Sequence, residues 1–223
     1  MRLLAIETAT RTAGVAAWAD GRVLAERRQT VTTHSEQLMV MVDATLREAG
    51  WTPRELDALV CGAGPGSFTG LRIGLATAKG LSFALGRPLA LVSSLETLAA
   101  RVAGGRVAAV LDAYKGEVYA GVFEVEGGRP RVIVEEQAWP PARLTDELAQ
   151  RAPLVLVGDG ALRYPSLLSA GVRMYDEDGA PRPGDLARLG ALRLAGGADD
   201  RLAGPHYLRP SEAELFKEKK NKN

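Results

Sequence analysis

The order of strands in this 223-residue chain begins twice, and that repetition limits the folds open to it. Leu3 to Glu7 reads as a buried strand, Thr12 to Trp18 as a second and Arg22 to Arg27 as a third, with Asp20-Gly21 supplying a tight hairpin turn. From Arg106 the pattern returns: Val107 to Asp112, Glu117 to Val125 and Arg131 to Gln137, with Gly127-Gly128 as the hairpin turn. An offset of 105 residues lays Glu7 on Asp112, so an acidic residue stands at the exit of the first strand in each half. A duplication of this length predicts two related lobes facing a cleft. The N-terminal lobe is expected over residues 1–103 and the C-terminal lobe over 104–209, with Gly104-Gly105 as the joint.

Each meander is followed by alternating helices and strands, which makes the class α/β. Thr33-x-x-Glu36 spells a capping box and opens a helix that stops at Gly50. Thr52-Pro53 starts a short turn, and Asp57 to Gly62 is a further buried strand that ends in Gly64-Pro65-Gly66-Ser67-Phe68-Thr69-Gly70. That loop feeds a second helix to Gly86; Pro88 to Val92 is a strand, and Ser93-x-x-Glu96 caps a third helix. The second half continues with a helix around Leu144 to Gln150, a strand from Leu154 to Gly158 and a helix from Asp185 to Ala195. The last residues, 210–223, end in Lys217-Glu218-Lys219-Lys220-Asn221-Lys222-Asn223 and read as a solvated, flexible tail.

Hydrophobic residues make up 46% of the chain and charged residues 25%, the composition of a chain that folds. Lys and Arg total 28 against 27 acidic residues, so no strong overall field draws the molecule to phosphate backbones or anionic membranes. The single cysteine, Cys61, excludes an internal disulfide framework and sits in a buried-strand pattern, where packing outweighs reactivity. The first apolar run ends at Glu7, too short for a signal-peptide core or a membrane span, and no later segment reaches membrane length. Cytoplasmic placement is the expectation.

The glycine-rich loop at 64–70 opens a helix, where free amides and the helix dipole hold anions. It lacks the Gly-Lys-Ser/Thr of a Walker A loop, and Ser67 or Thr69 occupies the third glycine position of the dinucleotide spacing. A tight turn capped by Ser67 or Thr69 is the favoured reading. The two histidines, His34 and His206, lie far apart, so no His-Glu-x-x-His zinc motif is present and a peptidase has no metal ligands to use. His34 falls in the first turn of its helix, where the dipole favours a neutral imidazole in a structural or interface role. Glu7 and Asp112 offer a magnesium site across the cleft; the favoured alternative is that they accept hydrogen bonds from nearby loop amides.

The helices carry a different signal. Leu38-Met39-Val40-Met41-Val42 is five apolar residues in succession, followed by Ala44, Leu46 and Ala49. Such a run points all round the helix, beyond the stripe of about 100° that one lobe covers, and two methionines make an adaptable surface. The second helix holds Gly70, Gly74, Ala76, Ala78, Gly80, Ser82 and Ala84. Each interior glycine costs about 1 kcal/mol relative to alanine, so close packing must offset it. Two rows at spacing four, Gly70/Gly74/Ala78 and Ala76/Gly80/Ala84, admit another helix; packing inside the lobe is the alternative. Leu38, Met41, Val42, Leu46, Leu71, Gly74 and Ala78 are the expected partner-interface residues.

A meander, a helix and alternating strands and helices, given twice, resembles the duplicated ribonuclease-H-like fold of actin, Hsp70 and sugar kinases. More specifically, Leu3-Leu4-Ala5-Ile6-Glu7-Thr8, His34-Ser35-Glu36-Gln37-Leu38, Gly64-Pro65-Gly66-Ser67-Phe68-Thr69-Gly70-Leu71-Arg72-Ile73-Gly74, Asp112-Ala113-Tyr114-Lys115-Gly116-Glu117-Val118-Tyr119 and Tyr207-Leu208-Arg209 resemble the bacterial TsaB (YeaZ) family. The likeness runs from Met1 to about Arg209; Ala9-Thr10 departs from the serine-rich loop usual there.

The resemblance implies a subunit of the machinery that places a threonylcarbamoyl group on the adenosine next to the anticodon of certain tRNAs. It implies a TsaD-like catalytic partner of the same fold, which holds the metal and transfers the group, and a TsaE-like ATPase. A homodimer is a further pairing it allows, formed through the first two helices. TsaD carries His-x-x-x-His where this chain has Ser94 and Leu98, and leucine cannot ligate a metal. The implied role is therefore a non-catalytic scaffold with no cofactor or metal of its own and with tRNA held mainly through the complex. The alternative is an autonomous ATPase or phosphotransferase of the actin and sugar-kinase type.

Overall fold

The computed structural model describes residues 1–30, 34–169, 171–175 and 178–210. Thr33, the side chain of His34 and the tail beyond residue 210, on which three of the expectations rest, lie outside the described residues.

The first meander forms as the alternation and the Asp20-Gly21 turn dictate: β1 (Arg2–Glu7), β2 (Thr12–Ala19) and β3 (Arg22–Thr30) run antiparallel, with Leu3 opposite Trp18 and Glu7 opposite Gly14. β4 (Ala58–Gly64) joins β1 in parallel and β5 (Leu89–Ser93) joins β4, giving the order β3-β2-β1-β4-β5. β4 is buried along its whole length, which is why Ala58 to Gly64 reads as a continuous apolar run and not as an alternation.

The second sheet repeats the plan. β6 (Gly104–Asp112), β7 (Val118–Glu126), β8 (Arg129–Trp139), β9 (Leu154–Val157) and β10 (Val172–Met174) take the order β10-β9-β6-β7-β8, strand for strand the topology of the first. The duplication in the sequence is a duplication of the ribonuclease-H-like lobe.

On the outer face of sheet one lie α1 (His34–Glu48) and α2 (Phe68–Leu85). α4 (Pro141–Ala149) and the short α5 (Asp159–Arg163) cover the matching face of sheet two. The inner faces are covered by exchange. α3 (Ser94–Ala99) follows β5 but packs Leu95, Leu98 and Ala99 against Val107, Leu111 and Phe123 of sheet two. α6 (Pro183–Ala195) follows β10 but packs Leu186, Ala187 and Leu189 against Leu3, Ala16 and Val60 of sheet one. It lies so close that a Cβ on Gly190 would meet Val60 Cγ1 at 2.3 Å.

Within the expected C-terminal lobe of residues 104–209, α6 thus packs on the sheet of the first lobe. Chain order suggested one partition, but each sheet has two apolar faces to cover, and the helix that ends one lobe supplies the second face of the other. α3 and α6 also touch each other, so the lobes meet through a shared helical layer.

After α6 the chain follows the edge of sheet one. The Asp200 amide donates to the Leu89 carbonyl at 2.7 Å, the Leu91 amide donates to Asp200 Oδ2 at 2.8 Å, and the His206 amide donates to the Ala63 carbonyl at 2.7 Å.

Candidate functional site

Glu7 leaves β1 into the interior. The Thr8 and Ala9 amides donate to its Oε1 at 2.9 and 2.8 Å, and the Ser94 hydroxyl from the start of α3 lies 3.3 and 3.2 Å from the two carboxyl oxygens. Complete burial lifts the carboxyl to about 7, against the pull of those donors. A Cβ on Gly62 of β4 would stand 2.3 Å from Glu7 Oε2, so only glycine leaves room for the acid. This is the loop-amide arrangement.

Asp112 occupies the equivalent strand exit in lobe two but faces open space. A cavity of about 710 Å3 separates the lobes, with Thr10, Arg11, Asp112, Tyr114, Asp159 and Asp178 in its wall. Asp112 Oδ1 accepts from the Tyr114 amide at 2.9 Å, and the Asp112 amide donates to Asp159 Oδ1 at 2.9 Å. Burial, with the neighbouring Asp112 charge, raises Asp159 to about 6. The structure therefore does not bring Glu7 and Asp112 together as a pair: Glu7 is sealed in lobe one and does not line the cavity.

A fourth acid, like Asp159 unforeseen in the sequence, ties the cleft's floor. Asp178 takes two hydrogen bonds from Arg28 of β3, at 2.8 and 2.7 Å, and one from Arg182 Nε at 3.0 Å. Arg101, after α3, reaches the same carboxylate at 3.5 Å. The hydrogen bonds from Arg28 and Arg182 hold Asp178 well below the usual carboxylate range. Arg182 lies four residues from Asp178, but Arg28 and Arg101 come from distant segments, so no local pattern marks the whole cluster.

The glycine loop is occupied by its own lobe. Ser67 caps α2 by accepting from the Gly70 amide at 3.3 Å, and the Ser67 amide donates to the Ala9 carbonyl at 2.7 Å. A Cβ on Gly70 would meet the Thr8 carbonyl oxygen at 2.1 Å, and one on Gly74 the Thr8 hydroxyl oxygen at 2.1 Å. Among the described residues, no group of three or more His, Cys, Asp or Glu converges to hold a metal ion. Ser94 faces Glu7, and Leu98 lies in the inner apolar core.

The helical flank requires a correction. Leu38, Met41, Val42 and Leu46 do not present their side chains outward; they pack with Leu4, Ile6 and Leu59 in the core of lobe one, Leu38 being 1% exposed. Leu71, Gly74 and Ala78 are buried as well. A run of five apolar residues fills both sides of a helix, and the sheet takes the side that repeats at three- and four-residue spacing. What remains outside is Val40, 67% exposed, and Met39, 48% exposed, on α1. On α2 the exposed row is Arg72, Ala76, Gly80 and Ala84, with Phe83 56% exposed beside it and no atom within 4 Å of a Cβ placed on Gly80. Of the two small-residue rows, one packs inward against Thr8 and the other faces solvent.

The chain is 34% identical, over 96% of both chains, to the tRNA threonylcarbamoyladenosine biosynthesis protein TsaB of Bacillus subtilis. The chain belongs to the TsaB family. TsaB of Escherichia coli is likewise 34% identical over 96% of both chains. YeaZ of Pseudomonas aeruginosa superposes with a TM-score of 0.81 at 33% identity, over 93% of this chain and 99% of that one. The family model of TsaD, tRNA N6-adenosine threonylcarbamoyltransferase, matches residues 27–165, so this TsaB-family chain also carries the profile of the transferase. No helix among the described residues is long and apolar enough to cross a membrane.

Proposed function

We propose that this chain is the non-catalytic subunit of a tRNA threonylcarbamoyltransferase complex, and that it pairs with a TsaD-like catalytic subunit through the outward face of α1 and α2. The observation that carries this reading is the apolar and small-residue row left uncovered there: Met39 and Val40 on one helix, Ala76, Gly80, Phe83 and Ala84 on the next. A row of glycine and alanine lets a partner helix approach closely, and the match to the transferase profile supports a partner of related fold. Ser94 and Leu98, where the metal-gripping imidazoles of TsaD would stand, support a division of labour in which the partner performs the transfer. A TsaE-like ATPase joins the pair, tRNA is bound mainly by the complex, and the free chain pairs with itself through the same face. An interface of about 1,600 Å2 in total would suit a specific complex.

A second reading, nucleotide binding in the cleft, draws on one feature, the cavity of about 710 Å3 lined by Arg11, Asp112 and Asp159. Thermal stabilisation of the isolated chain by ATP would favour it. Mixing the purified chain with the TsaD-like subunit, with and without the TsaE-like ATPase and ATP, tests the first: tRNA modification should require both subunits, and the chain alone should be inactive. Modification by the chain alone would refute the reading.

A further inference from the structure

Four residues near the end of the described chain, His206 to Arg209, hold both lobes at once. On lobe one, the Tyr207 ring stacks on Phe68 at the start of α2, with centroids 4.6 Å apart. Arg72 Nε donates to the Tyr207 hydroxyl at 3.0 Å, and its guanidinium lies 5.8 and 5.9 Å from the two ring centres. On lobe two, Leu208 packs on the inner core, while Arg209 donates to the Ala113 carbonyl at 3.2 Å and pairs with Glu117 at 3.0 Å, both at the turn between β6 and β7. Between them, Glu136 of β8 accepts the Ser93 hydroxyl at one carboxyl oxygen. Its other oxygen, buried and without a hydrogen-bond partner, lies 3.7 Å from His206 Nε2.

These contacts come from one short run and end on elements of both lobes, so they form together in only one arrangement of lobe against lobe. The lobe-one end falls on Arg72, which begins the same outward row as Ala76 and Gly80. We propose that residues 206–209 are an inter-lobe clasp, and that Arg209 is a positioning residue for partner docking: by fastening the β6–β7 turn to the first turn of α2, it sets the face that the catalytic subunit meets. This rests on the pairing proposed above. It also gives Tyr207-Leu208-Arg209 a role that packing inside one lobe does not explain.

The test uses the full chain and the TsaD-like subunit. Arg209→Ala should weaken binding about tenfold, the effect of losing a hydrogen bond to a charged group, although Arg209 itself is bonded to lobe two. Amide exchange at His206 and in the first turn of α2 should quicken, while β1, β4 and β6 keep their protection. Arg209→Lys, which keeps the charge opposite Glu117, should restore part of both effects. Wild-type affinity together with unchanged exchange in Arg209→Ala overturns the clasp. Faster exchange with unchanged affinity overturns the positioning role. If Val40→Glu leaves binding intact, or the wild-type chain does not bind, the pairing itself has failed; the clasp then stands or falls by the exchange result alone.

Discussion

The hydroxyl of Ser94, the first residue of α3, lies 3.2 Å from Oε2 of Glu7 at the end of β1, so the start of the inter-lobe helix closes over the acid of the first lobe. Together with the Thr8 and Ala9 amides, Ser94 satisfies a carboxyl that water does not reach.

Glu7 should make stability depend on pH. Its pKa is lifted from 4.5 to about 7, so the folded chain holds this proton more tightly than the unfolded chain does. Its contribution is full below pH 4.5 and is lost as pH rises through 7, by on the order of 3 kcal/mol. Denaturant titrations between pH 5 and 8 should show this decline. Glu7→Gln should reduce it, leaving the slopes of Glu136, which is also lifted to about 7, and of Asp159, lifted to about 6. An unchanged slope in Glu7→Gln would contradict the assignment.

Two glycines of α2 should respond with opposite signs. Gly74→Ala forces a methyl group to within 2.1 Å of the Thr8 hydroxyl oxygen and should destabilise the fold by about 1–3 kcal/mol. Gly80→Ala meets nothing within 4 Å and should stabilise the isolated chain by up to about 1 kcal/mol, yet weaken partner binding by filling the outward row. Thermal melts and a binding titration on both variants check the contrast.

Asp178→Ala should cost about 3 kcal/mol, because the Arg101 side chain, 1% exposed, would keep its charge after losing this carboxylate. Since Asp178 titrates well below its ordinary range, its contribution is present above the unfolded carboxylate pKa and is lost as pH falls through the folded value. Acid unfolding of wild type and variant should therefore converge at low pH.

The strands and their duplication were legible because each meander carries its own turn residues, Asp20-Gly21 and Gly127-Gly128, between apolar alternations. α5 and β10 were not: they span five and three residues, and the N-cap of α5, Gly158, has no side chain to cap it. The exchange of α3 and α6 was also hidden, since periodicity shows which face of a helix is apolar but not which sheet receives it. The flank of α1 was half legible. Five apolar residues announced an uncovered surface, but the charges that give its phase lie further on: Asp43 and Arg47 stand three and seven residues after Val40 and share its exposed side. That phase places Leu38 and Met41 underneath. The Asp178 cluster left no sequence signal, because Arg28 and Arg101 reach it from segments far along the chain.

Substitutions on α1 should separate folding from pairing. Met41→Glu buries a charge in the core of lobe one and should unfold it, while Met39→Glu and Val40→Glu should melt close to wild type.

The central claim, that this chain acts through the outward face of α1 and α2, is tested most directly by titrating the TsaD-like subunit with wild-type chain and with Val40→Glu in analytical ultracentrifugation. A stoichiometric complex should form with wild type and be lost with Val40→Glu, which itself remains folded. A complex of equal affinity with the variant would contradict the account.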